Sequence, residues 1–154
     1  MVIGSYGVSV DNKGRIFVPA KWRDSYADKL IAMRGLTLEA EERFLLIMPE
    51  SHFNKFLDEL NSPRAISMRL NNAARYILEN AYECDIDAKG RILIDKSLLD
   101  YAGITTNATL AAARNNCFEA WEPERLKEKN LAYTQLDSAH DLQALADELE
   151  NAGK

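Results

Sequence analysis

Tyr6-Gly-Val-Ser-Val-Asp11-Asn-Lys13-Gly14-Arg15-Ile16-Phe-Val18 returns 76 positions later as Tyr82-Glu-Cys-Asp-Ile-Asp87-Ala-Lys89-Gly90-Arg91-Ile92-Leu-Ile94. A stretch of this kind repeating at constant offset marks two related units in one chain. Pro49-Glu50 and Pro123-Glu124 recur at an offset of 74, each after an apolar stretch at 44–48 and 117–121. The likeness therefore runs beyond one loop.

In the first copy Tyr6, Val8, Val10 and then Ile16, Val18 alternate, which predicts two short strands with one buried face. Between them Asp-x-Lys-Gly is a turn signal, because Gly14 or Gly90 takes positive φ without a Cβ clash. The reading is a β-hairpin with a basic tip. Pro19 suits the first turn of a helix over 20–26, where its missing N–H is not needed. In the second copy Asp95 stands at the matching place, its carboxylate able to cap a helix over 96–102 that Gly103 ends. Two more strands are expected in each copy, 30–34 with 44–48 and 108–113 with 117–121. Between the copies Phe53, Phe56, Leu57 and Leu60 fall at helical spacing, and Asn61-Ser62-Pro63 breaks that helix. A second connector helix, over about 63–78, sets Ile66, Leu70, Ala73 and Ile77 on one side. A helical segment from Glu124 follows, and Asp137 or Ser138 starts a last helix with Leu142, Leu145 and Leu149 in line.

At 154 residues the chain holds one ordinary domain or two very small ones, not a large enzyme. With 47% hydrophobic and 28% charged residues a packed core is expected and wholesale disorder is not. No apolar run approaches the roughly 18 residues of a membrane span, and the N-terminus lacks a basic segment leading a long apolar one. A cytoplasmic protein is expected. Cys84 and Cys117 are too few for a disulfide framework and lack zinc spacing, so they read as reduced, partly buried thiols.

The net charge of −5 argues at first sight against a nucleic-acid partner. Its distribution weakens that objection. Residues 115–154 hold nine acids and four bases, so the whole deficit lies there and 1–114 is neutral. Within that, 1–36 carries six bases (Lys13, Arg15, Lys21, Arg23, Lys29, Arg34) against three acids (Asp11, Asp24, Asp28). A locally basic N-terminal region and an acidic tail are separable features.

The candidate contacts follow from residue chemistry. Arg15 and Arg91 offer planar forks able to take a guanine edge or a phosphate bidentately, while Lys13 and Lys89 are mobile point charges suited to phosphate. Against this stands the reading that Asp11 and Arg15 simply brace their own hairpin through a surface ion pair worth at most about 1 kcal/mol. Lys21 and Arg23 serve either as DNA contacts or as a solvated helix face, and Arg64, Arg69 and Arg75 as solvated or interface residues of the connector. Trp22, Tyr26, Phe44 and Trp121 read as core or hairpin-packing residues rather than a stacking platform. His52 and His140 have no metal-ligand spacing and sit in no nucleophile motif, so no catalysis, metal or cofactor is assigned.

Asp11-Asn-Lys13-Gly14-Arg15-x-x-x-Pro19-x-x-x-Arg23 resembles the first-repeat signature of the MraZ family, and Asp87-Ala-Lys89-Gly90-Arg91 repeats its core. The resemblance covers about residues 1–127, including Glu83-Cys84 and Phe118-Glu-Ala-Trp121. It implies an α+β fold: two AbrB-like swapped-hairpin units in a small barrel-like body, with a helical connector and a C-terminal helix. The units fall at 5–51 and 81–124 (SpoVT-AbrB domains), with 52–80 as connector and 125–154 as tail. It further implies a transcription regulator, nucleoid-associated, assembling as a ring-like homo-oligomer on tandem short repeats in double-stranded DNA ahead of its own division and cell-wall gene cluster. DNA-binding roles pass to Lys13, Arg15, Lys21, Arg23, Lys89 and Arg91, and motif roles to Asp11, Gly14, Asp87 and Gly90. The second copy departs from the pattern with Asp95 in place of a small residue or Pro and Leu99 in place of Arg. Both changes remove positive character, so the second hairpin is expected to bind DNA less strongly. An AbrB-like antitoxin or protein-interaction scaffold, using the acidic tail, is the competing reading.

Overall fold

Two strands, Leu30–Arg34 and Leu45–Pro49, carry unbroken apolar runs over 30–33 and 45–49, and a strand can bear that only if both its faces are covered. The computed structural model describes residues 1–26, 29–61, 68–135 and 139–153, the side chains of 68–70 and 139 aside. In it those strands, β3 and β4, pair antiparallel and lie inside a six-stranded sheet of order β1-β7-β8-β4-β3-β5. The other members are β1 (Ser5–Ser9), β5 (Ala81–Cys84), β7 (Asn107–Ala112) and β8 (Phe118–Trp121), and every pairing is antiparallel. A separate two-stranded ribbon joins β2 (Arg15–Phe17) to β6 (Arg91–Leu93).

The alternation along β3 and β4 sorts two cores. Leu30, Ala32, Leu45 and Ile47 face a large cluster with Ile16, Val18 and Trp22 from one copy and Ile92, Ile94 and Leu98 from the other. Ile31, Met33 and Met48 face the opposite side, where Phe53 of α2 (Glu50–Leu60) and Ile77 of α3 (Met68–Glu79) cover them with Cys117. The ribbon, with α1 (Ala20–Arg23) and α4 (Lys96–Ala102), thus roofs one face of the sheet and the connector helices cover part of the other.

Exchange of the two copies leaves the sheet order unchanged, since β1 answers to β5, β7 to β3 and β8 to β4. Ile16 sits opposite its own counterpart Ile92, flanked by the pairs Arg15 with Leu93 and Phe17 with Arg91. A pseudo-twofold axis therefore runs through the middle of the ribbon and between β4 and β8. Neither copy could bury its apolar face alone.

This pairing corrects one expectation. The turns at Asp11–Arg15 and Asp87–Arg91 form, but the strands they join do not pair with each other as a hairpin: β1 pairs with β7 and β2 with β6, each taking its partner from the other copy. Alternation fixes which face a strand buries and leaves its partner open, and only an exchanged partner lets Ile16, Val18, Ile92 and Ile94 meet in one core. The barrel-like body is also corrected. The six-stranded sheet keeps β1 and β5 as its edges and no barrel closes among the described residues.

Local signals placed several elements. Asp95 accepts from the Ser97 backbone N–H at 3.0 Å, capping α4, and Gly103 ends it at φ 68°. The helix after Pro19 is shorter than expected, running only from Ala20 to Arg23 before turn-like bonds carry the chain through Tyr26. It holds one buried residue, Trp22, whose indole N–H donates to the Ile3 carbonyl at 2.8 Å while its ring packs on Tyr6 and Phe118. Phe44 stacks on Trp121 at 4.8 Å, as the packing role requires. Both cysteines are free and buried, and burial pushes the Cys84 thiol up to about 12 and the Cys117 thiol to about 11. In the connector Ile77 is buried but Ala73, expected beside it, is exposed; Pro63, Arg64 and Ile66 lie outside the described residues, as do the side chains of Leu70 and Arg69. After α5 (Pro123–Gln135), α6 (Ala139–Ala152) is described from Ala139, so the expected starts Asp137 and Ser138 lie outside it, as does Asp28.

Candidate nucleic-acid interface

Each turn is built by one carboxylate. Asp11 Oδ1 accepts from the backbone N–H groups of Lys13 (2.9 Å) and Arg15 (2.8 Å), while Oδ2 accepts from Arg15 Nε at 2.6 Å. Asp87 repeats this with Lys89 (2.9 Å), Arg91 (2.9 Å) and Arg91 Nε (2.9 Å). The backbone N–H of Arg15, with its guanidinium and the Lys13 N–H, brings Asp11 from an ordinary 3.8 to about 2. The Arg91 backbone N–H, with its side chain and the Lys89 N–H, lowers Asp87 as well. Both carboxylates are charged at neutral pH. Gly14 and Gly90 close the turns at φ 88° and 85°, conformations that L side chains rarely adopt.

The bracing reading of the Asp11–Arg15 pair is therefore present in the structure, and it does not exclude ligand contact. Only Nε of each arginine faces its aspartate, which fixes the direction of the guanidinium while the Nη groups remain for another acceptor. Lys13 and Lys89 are exposed at the tips. Arg15 keeps 30% of its side chain exposed and Arg91 19%.

Antiparallel pairing sets these groups on one surface. Along the ribbon Ile16 and Ile92 point into the core, so Arg15, Phe17, Arg91 and Leu93 share the outer face. Phe17 and Leu93 are half exposed, at 51% and 55%. The sequence reading passed over these two, although the same alternation that buried Ile16 and Val18 assigns Phe17 to the outer face beside Arg15.

The supports of each turn come from the other copy. The Val18 N–H donates to the Gly90 carbonyl at 2.9 Å, and the Ile94 N–H to Gly14 at 2.9 Å. Arg23 Nε donates to the Val18 carbonyl at 2.8 Å, and its guanidinium lies under Gly90 so closely that a Cβ there would overlap it. At the matching place under Gly14 lies Leu99, whose Cδ1 would stand 3.2 Å from an added Cβ, with the Ile94 carbonyl oxygen at 2.8 Å. Arg23 therefore braces the second turn, and Lys21 is exposed one residue before the buried Trp22. Leu99, which follows the second turn in sequence, thus lies under the first turn, while Arg23 of the first copy lies under the second. Among the described residues no group of three or more His, Cys, Asp or Glu side chains is placed to hold a metal, and no helix is long and apolar enough to cross a membrane.

The geometry defines a two-copy, pseudosymmetric α+β protein that displays paired Asp-braced basic turns on a composite ribbon. The family model described as MraZ protein, "antitoxin-like", matches residues 1–71 and again 77–148. A relative from Halothermothrix orenii named Transcriptional regulator MraZ is 32% identical over 125 residues, covering 81% of this chain and 83% of its own. One of the same name from Nitrosomonas europaea is 35% identical over 79% of this chain and 81% of its own. Another from Oenococcus oeni is 29% identical over 97% and 96%. A solution structure from Pyrococcus horikoshii covers 78% of this chain and 88% of its own at 16% identity with a TM-score of 0.34. The chain belongs to the MraZ family.

Proposed function

We propose that this chain is a sequence-specific DNA-binding transcription regulator, acting as a ring-like homo-oligomer on tandem short repeats ahead of its own division and cell-wall gene cluster. The observation that carries the reading is the outer face of the β2–β6 ribbon, where Arg15 and Arg91 lie on one surface with Lys13 and Lys89 at its two ends. A two-stranded ribbon fits a major groove about 12 Å wide, and the arginine forks suit a guanine edge or a phosphate. The names of the relatives point the same way. In this reading 5–51 and 81–124 are the two SpoVT-AbrB units, interlaced as swapped hairpins, 52–80 connects them and 125–154 is the tail. The protein is cytoplasmic and nucleoid-associated, and it catalyses no reaction.

One ribbon offers few phosphate contacts on a chain of net charge −5, so a single copy binds weakly. Affinity comes from repetition, since tethered ribbons make each later contact intramolecular and raise binding by factors on the order of 10² to 10⁴ when repeat spacing matches. The test titrates the full chain against DNA from immediately upstream of its own gene, as a multi-repeat and as a single-repeat fragment, with oligomer size measured in parallel. Wild type should bind the multi-repeat DNA far more tightly, with a steeper salt dependence. An Arg15→Ala, Arg91→Ala double variant that keeps its assembly and binds as wild type does would remove the ribbon as the reading head. The antitoxin-like reading, which would use the acidic tail, gains if the chain binds no upstream DNA at any repeat number.

A further inference from the structure

The outer face of the β2–β6 ribbon is only half charged, since Phe17 and Leu93 share it with Arg15 and Arg91. Backbone bonds from the Ile94 N–H to the Gly14 carbonyl and from the Val18 N–H to the Gly90 carbonyl, both 2.9 Å, mark hydrogen-bonded positions at its two ends. Alternation then makes Ile16 with Ile92 the central hydrogen-bonded pair. It leaves Arg15 with Leu93 and Phe17 with Arg91 as the closer, non-hydrogen-bonded pairs, their Cα atoms about 4.5 Å apart. Each arginine therefore stands beside an apolar side chain of the other strand. The two pairs lie two residues apart along the ribbon, about 6.7 Å, which is two base-pair steps of about 3.4 Å.

A solvent-facing strand position ordinarily carries a polar residue. Here both copies carry a large apolar one at the same place, Phe17 and its counterpart Leu93 76 positions on, and both are half exposed. Asp11 and Asp87 draw the Arg15 and Arg91 guanidiniums toward opposite ends of the ribbon, which leaves Phe17 and Leu93 on the stretch of face between them. The setting suits a polyanion. Residues 11–17 and 87–93 hold four bases (Lys13, Arg15, Lys89, Arg91) and two acids, and each acid is engaged by its own turn. A partner for this face must accept from arginine and lysine and also present small apolar groups close to its acceptors. The major groove of DNA does both, because guanine offers N7 and O6 to an arginine fork and thymine offers its C5 methyl to an apolar side chain.

We infer that Phe17 and Leu93 read thymine, each packing on the C5 methyl of a thymine that adjoins the guanine taken by the neighbouring arginine. The inference rests on the DNA-binding reading above and adds which second base the ribbon selects. A guanine flanked by cytosine gives the arginine its acceptors but leaves the apolar side chain without a methyl. The ribbon therefore favours sites in which guanine and thymine adjoin.

Replacing thymine by uracil tests it, because uracil pairs as thymine does and lacks only the methyl. The full chain is titrated against the multi-repeat upstream fragment made with thymine and again with uracil. Wild type should bind the uracil DNA about fourfold more weakly for each contacted methyl, the effect of burying one such group, compounding over the repeats. A Phe17→Ala, Leu93→Ala double variant should bind thymine DNA about as weakly as wild type binds uracil DNA and should not tell the two apart. Equal binding of both DNAs by wild type overturns the inference and leaves the DNA reading standing. A double variant that still discriminates overturns it too, since the methyls then act through the shape of the duplex. A double variant whose oligomer size changes assigns the two side chains to a contact between copies and likewise overturns it. Failure of wild type to bind either DNA overturns both readings.

Discussion

The two basic turns have nearly the same internal geometry and different neighbours. Asp11 and Asp87 make the same three bonds to their own turns. The first turn is backed by Leu99 and the Ile94 carbonyl, with Lys96 nearby but paired to Asp100 at 3.3 Å; the second is backed by Arg23. Because the chain crosses between copies before and after each turn, the residues that tune a turn are written in the other copy's sequence. A departure from family pattern in the second repeat is therefore felt at the first turn.

The largest consequence concerns DNA. Reading each repeat by itself ranks Arg91 below Arg15, because Asp95 and Leu99 follow Arg91 in sequence. Because Leu99 lies under Gly14 and Arg23 under Gly90, we propose that the two arginines contribute alike. On multi-repeat DNA Arg15→Ala and Arg91→Ala should each weaken binding by more than about a hundredfold, since every copy in the assembly loses the same contact. Arg23→Ala should cost several-fold, and Leu99→Arg should strengthen binding by restoring a cation under the first turn. A titration in which Arg91→Ala costs far less than Arg15→Ala would return the second turn to a supporting role.

Next come the glycines, where the two sites differ in what can move. At Gly14 an added Cβ meets the Ile94 carbonyl oxygen, which is fixed by the ribbon, so Gly14→Ala should destabilise the fold by about 2–4 kcal/mol from positive φ and overlap together. At Gly90 the three nearest obstacles are atoms of the Arg23 guanidinium, the end of a flexible side chain, so Gly90→Ala should cost about 1–2 kcal/mol from positive φ and, beyond that, displace Arg23. Chemical denaturation of both variants measures the difference. Adding Arg23→Ala should rescue part of the Gly90→Ala loss and none of the Gly14→Ala loss.

How much of this was legible in the sequence depends on whether the signal was local. Asp95 and Gly103 marked both ends of α4, and the bounds of β3 agree because Leu30 to Arg34 is a continuous apolar run closed by a charge. Turn positions were readable for the same reason. Partner choice was not, since Ile16 satisfies the same alternation whether it pairs with its own copy or with Ile92. The site followed that division. Its residues could be named from two Asp-x-Lys-Gly-Arg motifs, but Arg23's place under Gly90 and the shared outer face of Phe17, Arg91, Arg15 and Leu93 exist only after the copies interlace.

The smallest expected effect is a difference in acid sensitivity between the turns. Asp11 and Asp87 both have folded-state values depressed below the unfolded carboxylate near 3.9. A depressed carboxylate contributes stability that is fully present above the unfolded value and is lost as pH falls through the folded one. For Asp11 the loss should therefore run from about pH 4 down through about 2. The first turn has the shorter contacts, 2.6 Å against 2.9 Å to the arginine Nε and 2.8 Å against 2.9 Å to its backbone N–H. On acidification the amides of Lys89 and Arg91 should accordingly shift at slightly higher pH than those of Lys13 and Arg15, followed by NMR from pH 5 to 2. Neither carboxylate titrates between pH 6 and 8, so Asp ionisation should leave DNA affinity level across that range. Asp11→Asn should abolish the acid transition at the first turn and leave the second unchanged; if both transitions move together, the two turns are coupled through Ile94 and Val18 and do not respond to acid independently.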